Sequence, residues 1–230
     1  MACVAPPNRR AGWSMIDLDF TVSAAEMEPH AAAPTLLLKL RVTNAAPAVP
    51  VQNVMLQCQI RIEPTRRQYA PSEHEPLSEL FGTPDRWGVS LHSMLWTYVT
   101  VLVPPFDTGC TFNLPVACSY DLNIAATKYF YGLEGGEVPL ALLFSGTIFY
   151  RGSEGQLQIV QISHDKEAAY RLPVQIWQSM MNHYYPDIAW LSLSRSVFDE
   201  FYRYKRQNGF ARWEDALRSL LPSCSTEVRQ

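Results

Sequence analysis

The stretch NVMLQCQIRI, Asn53 to Ile62, decides how this chain folds. Val54, Leu56, Cys58, Ile60 and Ile62 fall on one side, and Asn53, Gln57, Gln59 and Arg61 on the other. Successive side chains of a strand point to opposite faces, so this alternation predicts a β-strand with one buried and one wet face. The same period recurs upstream. In MIDLDFTV, Ile16, Leu18, Phe20 and Val22 alternate with Asp17, Asp19 and Thr21, and in TLLLKLRVTN, Leu36, Leu38, Leu40 and Val42 alternate with Lys39 and Arg41. The Pro-rich connections PHAAAP and NAAPAVP separate these strands, because proline cannot continue a ladder or a helix.

Downstream, TRRQYAPSEHEPLSELFGTPDRWG has no sustained period and reads as a long connection over 64–88, with a short helix around Pro76–Leu80. Strands are then expected over Val89–Val103, along CTFNLPVAC, over Asn123–Leu133 and Val138–Tyr150, and along QLQIVQIS. EGGE is expected to close a hairpin between the Asn123 and Val138 strands, since adjacent glycines supply positive φ without steric cost. About eight strands with frequent turn signals predict an antiparallel β-sandwich. From Leu172 the period becomes helical. Val174, Trp177, Met181 and Tyr184 form one stripe, Pro186 stops it, a second helix opens at Ser194 or Ser196 and ends at Asn208-Gly209, and RWEDALRSLL forms a third. The expected organisation is an N-terminal disordered tail over 1–12, a β-sandwich over 13–165, a helical part of the same domain over 166–222 packed on it, and a tail over 223–230.

The totals bound the function. Hydrophobic residues make up 47% of the 230 and charged residues 18%, enough apolar material for a core without metal or disulfide. A net charge of −3 excludes binding nucleic acid by bulk phosphate neutralisation. No apolar stretch follows Arg9 and Arg10 to make a signal peptide, and the longest apolar run, Val138 to Phe144, is too short for a membrane helix. Cys3, Cys58, Cys110, Cys118 and Cys224 are scattered, with no C-x-x-C pair, as in a reducing compartment, so a cytoplasmic location is expected.

Chemistry is sparse. His30, His74, His92, His164 and His183 show no metal-ligand spacing. GVSLHS brings Ser90 near His92 but lacks the second glycine of a nucleophile elbow, and no Gly-rich phosphate loop occurs. SHDKE, from Ser163 to Glu167, reads as a solvated turn rather than an acid–base pair. No catalytic, metal or cofactor site is expected, and the chain reads as a non-enzyme. WQSMMNHYYPDIAW, Trp177 to Trp190, reads mainly as core, with Tyr184, Tyr185 and Trp190 flanking the break at Pro186. Exposed aromatics and arginines concentrate binding energy at interfaces, so Tyr184, Tyr185, Trp190, Arg195, Arg203 and Tyr204 are the candidate interaction patch.

With its aromatic helix, its YYP stop at Tyr184–Pro186 and its FDEFYRYK helix at Phe198–Lys205, the chain from Ser14 to Leu221 resembles an uncharacterised bacterial family associated with nickel–iron hydrogenase gene clusters. The resemblance is strongest from Tyr131 onward. It implies an accessory protein that assists assembly or maturation of a hydrogenase-type redox complex, with hydrogenase or maturation proteins as partners and oligomeric state open. Two other readings stand beside it. One is a small-ligand carrier with a cleft between sheet and helices lined by Trp96, Trp177 and Tyr184. The other is a metal-binding chaperone using cysteines with His164 or His183.

Overall fold

The computed structural model describes residues 16–45, 49–121, 123–152 and 154–221. The expected tails over 1–12 and 223–230, with Cys3 and Cys224, lie outside the described residues. Eight strands form two antiparallel sheets: β1 (Leu18–Met27), β2 (Thr35–Asn44), β3 (Val51–Ile62), β4 (Met94–Val103), β5 (Gly109–Ala117), β6 (Glu137–Arg151), β7 (Leu157–Gln161) and β8 (Glu167–Pro173). One sheet runs β1-β2-β5, and the other runs β4-β3-β6, with β7 and β8 both paired to β6.

Alternation sets the buried face of each strand. Val54, Leu56, Cys58, Ile60 and Ile62 of β3 are all fully buried, as are Leu36, Leu38, Leu40 and Val42 of β2. The inner faces of the two sheets meet in one core, where Phe20 of β1 stacks on Phe144 of β6 with ring centroids 4.2 Å apart. On the opposite face of the larger sheet, register lines up Leu102 with Met55, Thr147 and Gln161, then Thr100 with Gln57 and Ser145, then Tyr98 with Gln59 and Leu143. Gly146 lets β6 approach β3 closely between its pairings with β8 and β7. Its φ is +140°, and a Cβ there would lie 2.0 Å from the Met55 carbonyl oxygen. To one side β6 pairs with β8, to the other with β7.

Six helices accompany the sheets: α1 (Pro71–Phe81), α2 (Trp87–Ser90), α3 (Ile124–Tyr131), α4 (Val174–Tyr184), α5 (Arg195–Gln207) and α6 (Trp213–Leu220). Two expectations are corrected here. Asn123–Leu133 is not a strand but helix α3, because Ala126, Tyr129, Phe130 and Leu133 bury together at helical spacing and the Asn123 side chain accepts from the Ala126 amide at 2.9 Å. EGGE therefore joins a helix to β6 and closes no hairpin. The strand expected from Val89 begins at Met94, since Trp87–Ser90 forms the helical turn α2.

Strand β8 was unexpected. It occupies residues assigned from the sequence to the helical part, so the strand count agrees only because one error offsets another. The expected short helix at Pro76–Leu80 is the eleven-residue α1, which starts at Pro71. The C-terminal helices do not form one group of three. The chain clusters into two compact units, one ending at Asp187 and the other running from Ile188. Helix α4 buries Val174, Trp177, Met180 and Met181 in the first unit, and α5 and α6 belong to the second.

Candidate interaction surface

The second unit is built from a short sequence with strong local signals. The Ser194 hydroxyl accepts from the Val197 amide at 3.5 Å and opens α5. Gly209, at φ 71°, ends it, and the Phe210 amide donates to the Lys205 carbonyl at 3.1 Å. Helix α6 follows at once and packs back. Trp213 lies 5.5 Å from Phe198, 5.3 Å from Phe201 and 5.9 Å from Tyr202, measured between ring centroids. Lys205 sits over the Trp213 ring at 5.2 Å, and Arg206 over Tyr202 at 5.7 Å.

Two short helices cannot bury two apolar faces against each other. Ala216 is the one fully buried side chain among the described residues of this unit. Val197, Phe198, Tyr202, Trp213, Leu217 and Leu220 stay 36–50% exposed, and Leu221 reaches 69%. The hairpin therefore presents a continuous apolar face of the kind that marks an interaction site on a soluble protein.

The six residues singled out from the sequence divide between the two units. Tyr184 and Tyr185 belong to the first unit and are half-buried. The Tyr184 hydroxyl donates to the Glu28 carbonyl at 2.6 Å, and Tyr185 lies 5.0 Å from Tyr120. Trp190, Arg195, Arg203 and Tyr204 belong to the second unit. Trp190, Arg195 and Arg203 are exposed, and neither arginine forms an ion pair with a described residue. Tyr204 is turned inward, its hydroxyl 3.0 Å from that of Ser219 and its ring 6.1 Å from Phe210. Phe198, Tyr202, Trp213 and Leu217 carry no sequence signal of exposure, because a helical stripe carries no mark of what covers it.

The other candidate places in the chain are packed or satisfied. Trp96 and Trp177 both pack on Phe130, at 5.1 and 5.0 Å, and the space beside them is about 20 Å³, the size of one water. An open depression of about 740 Å³ lies over Arg66, Arg67, Glu73, Glu134, Glu137 and Arg171, a residue set the sequence reading passed over. At its base Arg67 and Glu73 are buried and pair at 2.6 Å. Arg67 also donates to the carbonyls of Glu137 and Gly135, both at 2.8 Å, while Glu73 accepts from the amides of Ala70 and Glu134, both at 3.0 Å. This pair locks the α1 connection to the turn before β6. Its only sequence trace was a Glu three residues past Ala70, at the N-terminus of α1.

Beside it Tyr69 and Tyr129 share a 2.8 Å hydrogen bond, and burial raises the pKa of both. SHDKE is a turn whose Lys166 bonds to Asp17 at 2.7 Å and Asp19 at 3.0 Å, tying the loop before β8 to β1. Among the described residues no three His, Cys, Asp or Glu side chains converge as a ligand set. Cys58, Cys110 and Cys118 are free thiols, and burial pushes those of Cys58 and Cys118 up to about 12, far from a metal-binding thiolate at neutral pH. No described helix is long and apolar enough to cross a membrane.

No curated protein matches the sequence. A crystal structure of an ApaA protein from Bordetella pertussis is similar at 14% identity and a TM-score of 0.26, over 68% of this chain and 93% of that one. A model of a family of unknown function, DUF6084, matches residues 15–229, and the chain belongs to that family.

Proposed function

We propose that the protein is a non-catalytic accessory protein of the cytoplasm, in which a β-sandwich carries a helical hairpin that docks on a protein partner. One observation carries the reading. Val197, Phe198, Tyr202, Trp213, Leu217 and Leu220 of α5 and α6 stay 36–50% exposed, while the inward faces of the sheets and of α4 pack to near-complete burial. The exposed Arg195 and Arg203 add cationic groups to the same unit, so the partner surface is an apolar groove with acidic groups at its rim. The resemblance to a hydrogenase-cluster family makes a hydrogenase subunit or a maturation protein the expected partner. The three described thiols, unpaired, suit a reducing compartment.

The test is a tagged pull-down from the native host with Phe198→Asp and Leu217→Asp variants in parallel. Both positions are partly exposed, and circular dichroism of each variant is compared with the wild type before retention is scored. A hydrogenase or maturation protein retained stoichiometrically by the wild type and lost from both variants supports the reading. Retention that ignores both substitutions removes the hairpin from it.

A further inference from the structure

An edge strand leaves a row of backbone donors and acceptors unpaired, and folded chains blunt it with charge, proline, a bulge or a covering segment. The edges of both sheets show such devices. Strand β1 carries Asp19, Glu26 and a bulge between Val22 and Ala24. Strand β5 carries Pro115, and β8 carries Glu167, Arg171 and Pro173. On β4 the carbonyls of Leu95 and Trp96 accept from the Asn123 side chain at 2.9 and 3.0 Å. Strand β7 has none of these. It ends the order β4-β3-β6-β7, and from Gln156 to Ser163 the chain has no charged residue and no proline. Register fixes which of its backbone groups are free. The Ile162 amide donates to the Gly146 carbonyl and the Gly152 amide to the Gln156 carbonyl, both at 2.9 Å. Bonded and non-bonded pairs alternate along an antiparallel ladder, so Val160 opposite Ile148 and Gln158 opposite Tyr150 are bonded pairs. Leu157, Ile159 and Gln161 therefore turn their N–H and C=O groups away from β6, to an edge on which no described strand lies.

We infer that β7 is a homodimerisation edge, to which the β7 of a second copy adds antiparallel, joining the two larger sheets into one. A two-fold axis at Ile159 sets Ile159 opposite its own copy and Leu157 opposite Gln161, which are the residues whose backbone groups face outward. Every outward amide and carbonyl of both strands is then paired, with none left over. The side chains fit the same register. Ile159, 62% exposed, meets its counterpart, and Leu157, 63% exposed, lies against the stem of Gln161. No like charges face each other across the strand pair. A short uncharged segment of high β-propensity finds matched chemistry in an identical segment, whereas a charged peptide would find no complementary group on this edge. The strand is five residues long, so the contact is small and the dimer weak, with a Kd of about 100 μM.

Sedimentation equilibrium and amide hydrogen exchange on the full chain test this together. The wild type is expected to move from 26.1 kDa toward twice that mass as its concentration passes about 100 μM. Over the same range the amides of Leu157, Ile159 and Gln161 should gain protection, while those of Gln158, Val160 and Ile162 are held by β6 throughout. Ile159→Pro removes an outward amide and no bond to β6, and Ile159→Lys sets like charges at the axis. Each is expected to weaken association by at least about tenfold with circular dichroism unchanged. Phe198→Asp should leave the dimer intact, so this inference and the hairpin reading fail separately. A monomer at every concentration, a dimer that survives both Ile159 substitutions, or one lost only on Phe198→Asp would overturn the inference. So would protection of the outward amides that ignores concentration.

Discussion

Cys58 is fully buried and Cys118 is 4% exposed, and burial pushes both thiols from 9.0 up to about 12. Their folded pKa lies above the unfolded one, so the native state holds their protons more tightly. The stability they contribute is fully present below pH 9 and is lost as pH rises toward 12, because the unfolded chain ionises first. Tyr69 and Tyr129, raised by burial, act in the same direction once pH passes the ordinary tyrosine value of about 10. The thermal midpoint should therefore fall steadily through this window in circular dichroism melts, and Cys58→Ala with Cys118→Ala should flatten the fall.

Glu73 makes a different demand. Removing its carboxylate in Glu73→Leu leaves the Arg67 charge and the amides of Ala70 and Glu134 buried without their partner. A loss of about 3–5 kcal/mol is expected, seen as a melting temperature lower by roughly 10 °C. Such a pair is invisible in the sequence. Arg67 and Glu73 sit in a segment without period, and the Arg67 hydrogen bonds reach Gly135 and Glu137, 68 and 70 positions away.

At the scale of elements, what was legible depended on how each face is covered. Strand β3 lies between β4 and β6, so its alternation survives intact from sequence to burial. Helix α3 was misread because Ile124, Tyr129, Phe130 and Tyr131 favour strands by residue type, while the deciding signal was the spacing of Ala126, Tyr129, Phe130 and Leu133. Strand β8 was overlooked although Tyr170 and Leu172 point inward between Ala169 and Arg171. Seven residues running straight into a helix leave too short a window for the period to show. Gly146 adds a test at this scale. An alanine there would clash with the Met55 backbone oxygen and hold an unfavourable φ, so Gly146→Ala should cost on the order of 3 kcal/mol in urea unfolding. If it costs less than about 1 kcal/mol, the close approach of β6 to β3 at Gly146 is wrong.

For the whole molecule, the division after Asp187 separates two kinds of apolar surface. The first unit buries its inward-facing apolar side chains in one core shared by both sheets and α1, α3 and α4, though Met55, Tyr98 and Leu102 of its larger sheet stay exposed. The second leaves most of its own exposed. A chain ending at Asp187 should therefore unfold cooperatively with a melting temperature within a few degrees of the full chain, as followed by near-ultraviolet circular dichroism of its buried tryptophans. The hydrophobic stripe of α5 was readable as a helix, but periodicity reports which side is apolar and not what meets it.

The central claim is that this stripe exists to meet another protein. Its most direct measurement is quantitative mass spectrometry of what tagged wild type, Phe198→Asp and Leu217→Asp retain from the native host. The account predicts a hydrogenase or maturation protein at near one-to-one ratio with the wild type and at least about tenfold less with either variant. Equal retention by all three, or recovery of the protein without such a partner, would contradict it.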